Sequence, residues 1–284
     1  MIAKHGLRRE IHTLAILGTV VMLVLAACGG EKTPATSATP MPTSTITAAH
    51  ATLKHMPYGN AELRWDASSK TLTVEFSLIG LLPNSTHPTQ IYAGSSNHGG
   101  KMLYPLQDIA SDNMGNATAT STVNNVAKGI PTTGWNVSIH NGPGVTAADE
   151  AVSISCGDIS NTSLAHTVKV DMNTSPGKDQ AASGMVLLTL SGEQLTVKLA
   201  MSGLEPNSVH PFHIHRGNCL NQGGVAYHIP NVVAGASGNV QMTTRLEHVP
   251  LIPSSGWYVN VHYSTDLTSQ TGADPLVCGD IIPG

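Results

Sequence analysis

Leu195-Thr-Val-Lys-Leu-Ala-Met-Ser-Gly203-Leu-Glu-Pro206-Asn-Ser-Val-His210 decides the fold, because it reads as a strand running into a turn and occurs twice. Leu195, Val197, Leu199 and Met201 are apolar at every second position, the period of a strand buried on one face. Gly203 and Pro206-Asn-Ser then punctuate the run as a turn. The other copy is Leu72-Thr-Val-Glu-Phe-Ser-Leu-Ile-Gly80-Leu-Leu-Pro83-Asn-Ser-Thr-His87. Downstream, Gly134-Trp135-Asn-Val-Ser-Ile-His140 matches Gly256-Trp257-Tyr-Val-Asn-Val-His262, and Ser155-Cys156-Gly-Asp-Ile159 matches Val277-Cys278-Gly-Asp-Ile281. The spacings are 123 residues (87 to 210), 122 (140 to 262) and 122 (156 to 278). A near-constant offset over three blocks is a duplication, and units of this size make a tandem of domains rather than a solenoid.

Each copy reads as all-β. Val259 and Val261 alternate with Tyr258, Asn260 and His262, again the pattern of a half-buried strand. Short strands between Gly-rich turns predict two tandem Greek-key β-sandwich or barrel domains, over residues 51–160 and 161–284. Upstream, Lys4, Arg8 and Arg9 precede an apolar run from Thr13 to Ala27. That is the pattern of a secretory signal over residues 1–27. Leu25-Ala26-Ala27-Cys28-Gly29 resembles a bacterial lipoprotein cleavage box, which implies lipidation of Cys28 and a lipid anchor on the outer face of the cell membrane. Residues 28–50 are rich in Thr, Pro and Ser and are expected to form a flexible tether.

Charged residues make up 11% of the chain and the net charge is −4, with no basic patch, so nucleic acid is excluded as a partner. No Ser-His-Asp order, close carboxylate pair or phosphate loop supports a hydrolase.

The copies differ where chemistry could sit. The second carries His210-Pro-Phe-His213-Ile-His215, and the first carries His87-Pro-Thr-Gln90-Ile-Tyr92. In a strand, residues i and i+2 share a face, so His213 and His215 project together about 7 Å apart at ~3.3 Å per residue. His228 follows a Gly-Gly turn and His262 closes a later strand. Four imidazoles suit copper in tetragonal geometry, and zinc in a tetrahedron. Against them the first copy has Gln90, Tyr92, either Tyr104 or Pro105, and His140. The scaffold therefore does not require these histidines. His87 and His210 occur in both copies and are expected to be structural, hydrogen-bonded at a strand start.

The order His213-Ile-His215, Cys219, His228, His262, then Cys278-Gly-Asp, resembles the copper/zinc superoxide dismutase family over about 100 residues of the second copy. The resemblance implies copper ligation by His213, His215, His228 and His262, and a disulfide between Cys219 and Cys278. It also implies superoxide as substrate, with His228 as the proton acceptor. Two departures separate the chain from that family. Ile229 to Glu247 contains neither His nor Asp, so the zinc-binding loop is missing and a copper-only site is expected. Tyr263 to Val277 contains no Lys or Arg, so no cation guides an anion, and Asp266 and Asp274 in that loop would repel one if they stand near the mouth. These departures leave copper storage or delivery without turnover as the alternative. Trp257-Tyr-Val-Asn-Val-His262 with His213-Ile-His215 also resembles the CHRD domain, which implies a structural or binding module. Cys156 matches Cys278, but the place near Ser96 is not cysteine, so a buried thiol is expected there.

Overall fold

The computed structural model describes residues 46–173, 177–179 and 181–284; the expected signal, Cys28 and the start of the tether lie outside them. Tether residues 48–50 of the expectation belong to the first strand, β1 (Ala48–His55). The chain then runs through β2 (Tyr58–Asp66), β3 (Thr71–Ile79), β4 (Thr86–His87), β5 (Thr89–Ala93), β6 (Met102–Pro105), β7 (Ile109–Ala110), β8 (Ala117–Val123), β9 (Trp135–His140), β10 (Ser153–Asp158) and β11 (Thr167–Met172). The second half holds β12 (Ser183–Ser191), β13 (Gln194–Ser202), β14 (Val209–Asn218), β15 (Asn221–Val233), β16 (Val240–Leu246) and β17 (Trp257–His262). A four-residue helix, α1 (Gln270–Ala273), precedes β18 (Pro275–Asp280) and β19 (Ile282–Pro283). The all-β class is as the alternation predicts. Among the described residues no helix is long and apolar enough to cross a membrane.

The repeated stretches form equivalent strands for equivalent reasons. Leu72, Val74, Phe76 and Leu78 of β3 are buried in one core, and Leu195, Val197, Leu199 and Met201 of β13 in the other. Each strand ends at a glycine with left-handed backbone, Gly80 (φ +82°) and Gly203 (φ +83°). At Gly203 a Cβ would lie 2.3 Å from the Ala181 carbonyl oxygen, so only glycine fits. Asn84 and Asn207 of the two Pro-Asn turns are also left-handed, which asparagine tolerates. The strand β17 departs from its half-buried reading: Tyr258 through His262 are all buried. Val259 and Val261 enter the core, while Tyr258 stacks against His215 on the other face.

The strand pairing does not divide the chain at residues 51 and 161. β1 pairs with β12, β18 and β19, all in the second repeat. β11 pairs with β2, in the first. These two strands are equivalent in the duplication: Ala48 faces Thr189 and Leu53 faces Gly184, just as Thr167 faces Arg64 and Met172 faces Gly59. The repeats have exchanged their leading strands. Ala49, Ala51 and Leu53 accordingly pack in the second core, and Val168, Val170 and Met172 in the first. The first barrel is thus the continuous run from β2 to β11, inserted between β1 and β12 of the second. It has sheets ordered β10-β9-β5-β6 and β11-β2-β3-β8, with β4 paired to β7. The second is one curled nine-stranded sheet, β15-β14-β17-β18-β1-β12-β13-β16 with β19 beside β1.

Candidate metal centre

β14 and β17 lie side by side, with His213 opposite Asn260 and Phe212 opposite Val261. Phe212 and Ile214 are fully buried in the core, so the alternation turns His213 and His215 to the outer face. His262, alternating with Val261 and Val259, joins them there. The ligand atoms of His213, His215 and His262 all lie within 4.8 Å of one another, and the three side chains are buried. His228 pairs across from His213 in β15 and its ring stands edge-on, 4.8 Å between centroids. It is exposed, at the rim of the buried triad. β15 runs unbroken through His228, so strand occupies the stretch where a zinc-binding loop would begin.

Two of the rings are held from behind by backbone carbonyls. His215 Nδ1 donates to the Gly223 oxygen at 3.0 Å, and His262 Nδ1 to the Ala273 oxygen at 2.7 Å. A carbonyl only accepts, so both protons sit on Nδ1 and both Nε2 atoms are left as acceptors. His262 Nε2 accepts from His213 Nδ1 at 3.3 Å, and His215 Nε2 is buried with no partner. Burial, followed by the neighbouring rings of His262, His215 and His228, pushes His213 down to about 4. Burial also takes His262 to about 4 and moves His215 in the same direction. All three are neutral at physiological pH, the state in which imidazole binds metal. A buried lone pair with no donor costs about 1–3 kcal/mol. A cation among these three nitrogens would satisfy all of them, and an all-imidazole donor set suits copper or zinc. The arrangement can therefore hold a metal ion.

The first barrel presents the same face without that capacity. Gln90 stands at the place of His213 and Tyr92 at that of His215. Pro105 pairs with Gln90 as His228 pairs with His213, so Pro105, not Tyr104, replaces the fourth histidine. The Tyr92 hydroxyl donates to Gln90 Oε1 and lies 3.1 Å from His140 Nε2. His140 Nδ1 donates to the Ala151 oxygen at 2.8 Å, matching His262 and Ala273. Tyr92 thus fills the position between Gln90 and His140.

His87 and His210 are structural, as their presence in both copies predicts. Nδ1 of each donates to the carbonyl of the strand-end histidine, His140 at 2.8 Å and His262 at 3.0 Å. Nε2 of each meets a serine hydroxyl, Ser85 at 2.7 Å and Ser208 at 2.8 Å. Cys219 and Cys278 form a disulfide beside Tyr258 and Met56. The retained Gly-Asp pairs close both barrels: the Cys219 amide donates to Asp280 Oδ1 and the Ser96 amide to Asp158 Oδ1.

The expected repulsion at the mouth is corrected for Asp274. This carboxyl is fully buried, accepts from the Leu82 amide at 3.2 Å and lies 3.8 Å from His87 Nε2. Desolvation raises it well above the usual carboxylate range, and its contacts are with the first barrel rather than with open solvent. Asp266 is exposed, with its carboxylate held low by the Thr268 hydroxyl. Arg216 donates to the Val225 carbonyl on the exposed side of β14. Sequence reasoning missed Gly223 and Ala273, whose carbonyl oxygens act whatever side chain they carry.

The fold and site define a β-sandwich module with a histidine cluster on one sheet face. Among known families, the CHRD domain matches residues 161–266. That span starts before β11, so it takes in a strand of the first barrel, and it ends before Ala273. No curated protein matches the chain. Among solved structures, the chain is similar to "a SOD-like protein from Bacillus subtilis" at 17% identity, covering 36% of this chain and 93% of that one with a TM-score of 0.29. It is also similar to the clock protein EA4 at 16% identity, covering 36% and 88% with a TM-score of 0.27. Likenesses at this level identify neither a substrate nor a partner.

Proposed function

We propose that the second barrel is the copper-binding unit of an extracytoplasmic, lipid-anchored protein. His213, His215 and His262 hold one ion, and His228 completes the set from the rim. The observation that carries this reading is the bare, buried Nε2 of His215 facing two further imidazole ligand atoms. Copper is favoured over zinc because no further His or Asp follows His228 along Ile229 to Glu247. A secreted lipoprotein would present the site outside the cytoplasm, and the Cys219–Cys278 disulfide suits that oxidising compartment. Copper analysis of the purified mature chain, followed by spin resonance on the Cu(II) form, tests the assignment. One ion per chain with nitrogen couplings is expected. A signal unchanged in the His213→Ala, His262→Ala double variant would refute the ligand set.

Holding copper without turnover is the reading the charges favour, since Tyr263 to Val277 offers no cation to draw an anion in. Superoxide dismutation is the second reading, favoured by the exposure of His228. Bound copper supplies reversible one-electron transfer. His228, reachable from solvent, is the residue placed to take up and return a proton. A copper-dependent dismutation rate abolished by His215→Ala decides for turnover. A rate no higher than that of released copper decides for storage or delivery.

A further inference from the structure

The carbonyls that orient the ligand histidines lie on two segments of the second barrel, and the first barrel grips both. Ala273 ends the loop that follows β17. In that loop Gln270 Nε2 donates to the carbonyls of Thr86 (2.7 Å) and Asn141 (3.0 Å), and Gln270 Oε1 accepts from the Thr86 amide at 3.2 Å. The Asn141 side-chain amide donates to the Thr271 carbonyl at 3.1 Å, and the Thr271 hydroxyl to Asp149 at 3.1 Å. Asp274 adds its bond to the Leu82 amide. Thr86, Leu82, Asn141 and Asp149 all belong to the first barrel.

Gly223 is gripped from the same side. Gln222 Nε2 donates to the Leu81 carbonyl at 2.9 Å, and Asn116 donates to the Leu220 carbonyl at 3.2 Å. The approach is close: at Gly115, itself left-handed (φ +83°), a Cβ would lie 2.6 Å from Gln222 Nε2.

The Asp274 contact also has a counterpart within the second barrel. There Asp179, on the connection from β11 to β12, accepts from the Glu205 amide at 2.5 Å and lies 3.4 Å from His210 Nε2. Leu82 and Glu205 are equivalent residues, as are His87 and His210. The matching connection in the first repeat is Met56-Pro57, two residues that carry no carboxylate. Asp274 reaches over from the metal-site loop and fills the vacancy.

Resting on the copper-site reading, we propose that the first barrel, whose equivalent face carries Gln90, Tyr92 and Pro105 in place of three histidines, is a positioning clamp for the second. It fixes the Gly223 and Ala273 carbonyls and thereby sets the tautomer and aim of His215 and His262. Gln222 and Gln270 are the positioning residues. Outer partners of this kind change metal affinity by roughly 10–100-fold when lost.

The clamp is tested first without metal. In the metal-free mature chain, hydrogen exchange of the imidazole Nδ1–H groups is followed by nuclear magnetic resonance. Gln270→Ala is expected to speed exchange at His262, and Gln222→Ala at His215, each by about tenfold or more. His140, bonded to Ala151 in the same way but inside the first barrel, is the internal control and should not change. Asn141→Ala removes the grip on the loop from the other side and should reproduce the Gln270→Ala result. Copper titration then reads a Cu(II) affinity lower by about tenfold in each variant. Unchanged exchange at His262 and His215, or an equal rise at His140, overturns the clamp. Wild-type protein that takes up no Cu(II) overturns the metal reading, while the exchange data still decide the clamp.

Discussion

His87 gives a pH dependence of known sign and computable size. It is fully buried in the first barrel, with Nδ1 donating to the His140 carbonyl. Desolvation lowers it from 6.5 to about 4. The unfolded chain therefore binds the proton between pH 6.5 and about 4, and the folded chain does not. Stability from this residue is fully present above pH 6.5 and is lost as pH falls toward 4. Moving a histidine that far corresponds to about 3 kcal/mol, at ~1.4 kcal/mol per pH unit. The slope is steepest near pH 5.2, at about 1.2 kcal/mol per pH unit.

Asp274, 3.8 Å away, acts with the opposite sign. Its raised pKa means that it takes up a proton on folding, so its contribution falls as pH rises above 3.8. The comparison of wild type with His87→Gln reads the imidazole together with its coupling to Asp274. Urea unfolding of metal-free protein is to be followed by tryptophan fluorescence in a Trp257→Phe background. Trp65 and Trp135 then report the first barrel alone. The variant is expected to be less stable at pH 7, and its stability to fall less steeply by about 1 kcal/mol per pH unit between pH 6 and 4.5. Parallel pH dependences would refute the account of His87 as a neutral buried imidazole.

Three other outcomes follow from the architecture. Leu53→Ala, in β1 but buried in the second core, should cost roughly 2–5 kcal/mol in the transition reported by Trp257, while Leu63→Ala should act on the transition of Trp65 and Trp135. A Leu53→Ala cost in the transition of Trp65 and Trp135 instead would show that the leading strands are not exchanged. Cys278→Ser opens a cross-link spanning 59 residues and should cost about 4 kcal/mol by the chain-entropy relation, measured by urea unfolding with and without reductant. Gln90→His with Tyr92→His should raise bound copper from one to two ions per chain on equilibrium dialysis, because His140 is already anchored by Ala151.

The alternation in β3 and β13, the two offsets and the His-x-His pair made the strands, the duplication and the triad legible. Strand partners were not. Ala49, Ala51 and Leu53 carry the same period-two pattern as Val168, Val170 and Met172, and the pattern fits either barrel equally well. Periodicity says which face of a strand is buried, not which neighbour buries it. The half-buried reading of β17 failed for a related reason: Tyr258 lies beneath His215 and His262 beneath Ala273, covers that belong to distant segments. Asp274 looked like a charge at the mouth because its partners, Leu82 and His87, lie in the other repeat.

The duplication also bears on why the triad is more than a packing cluster. One scaffold fills this position with a tyrosine hydroxyl that donates to Gln90 and lies 3.1 Å from His140 Nε2. The other, on an equivalent strand and turn, keeps three buried imidazoles with His215 Nε2 unpartnered. An unpaired buried acceptor costs about 1–3 kcal/mol, and the first barrel shows that the fold also accommodates a glutamine and a tyrosine at these places. A local conflict of this kind, retained where a compatible alternative exists, is the expectation for a functional position. Something that binds imidazole lone pairs would remove the penalty; the Gly223 carbonyl leaves the His215 lone pair unpaired, and with the Ala273 carbonyl it aims two lone pairs inward.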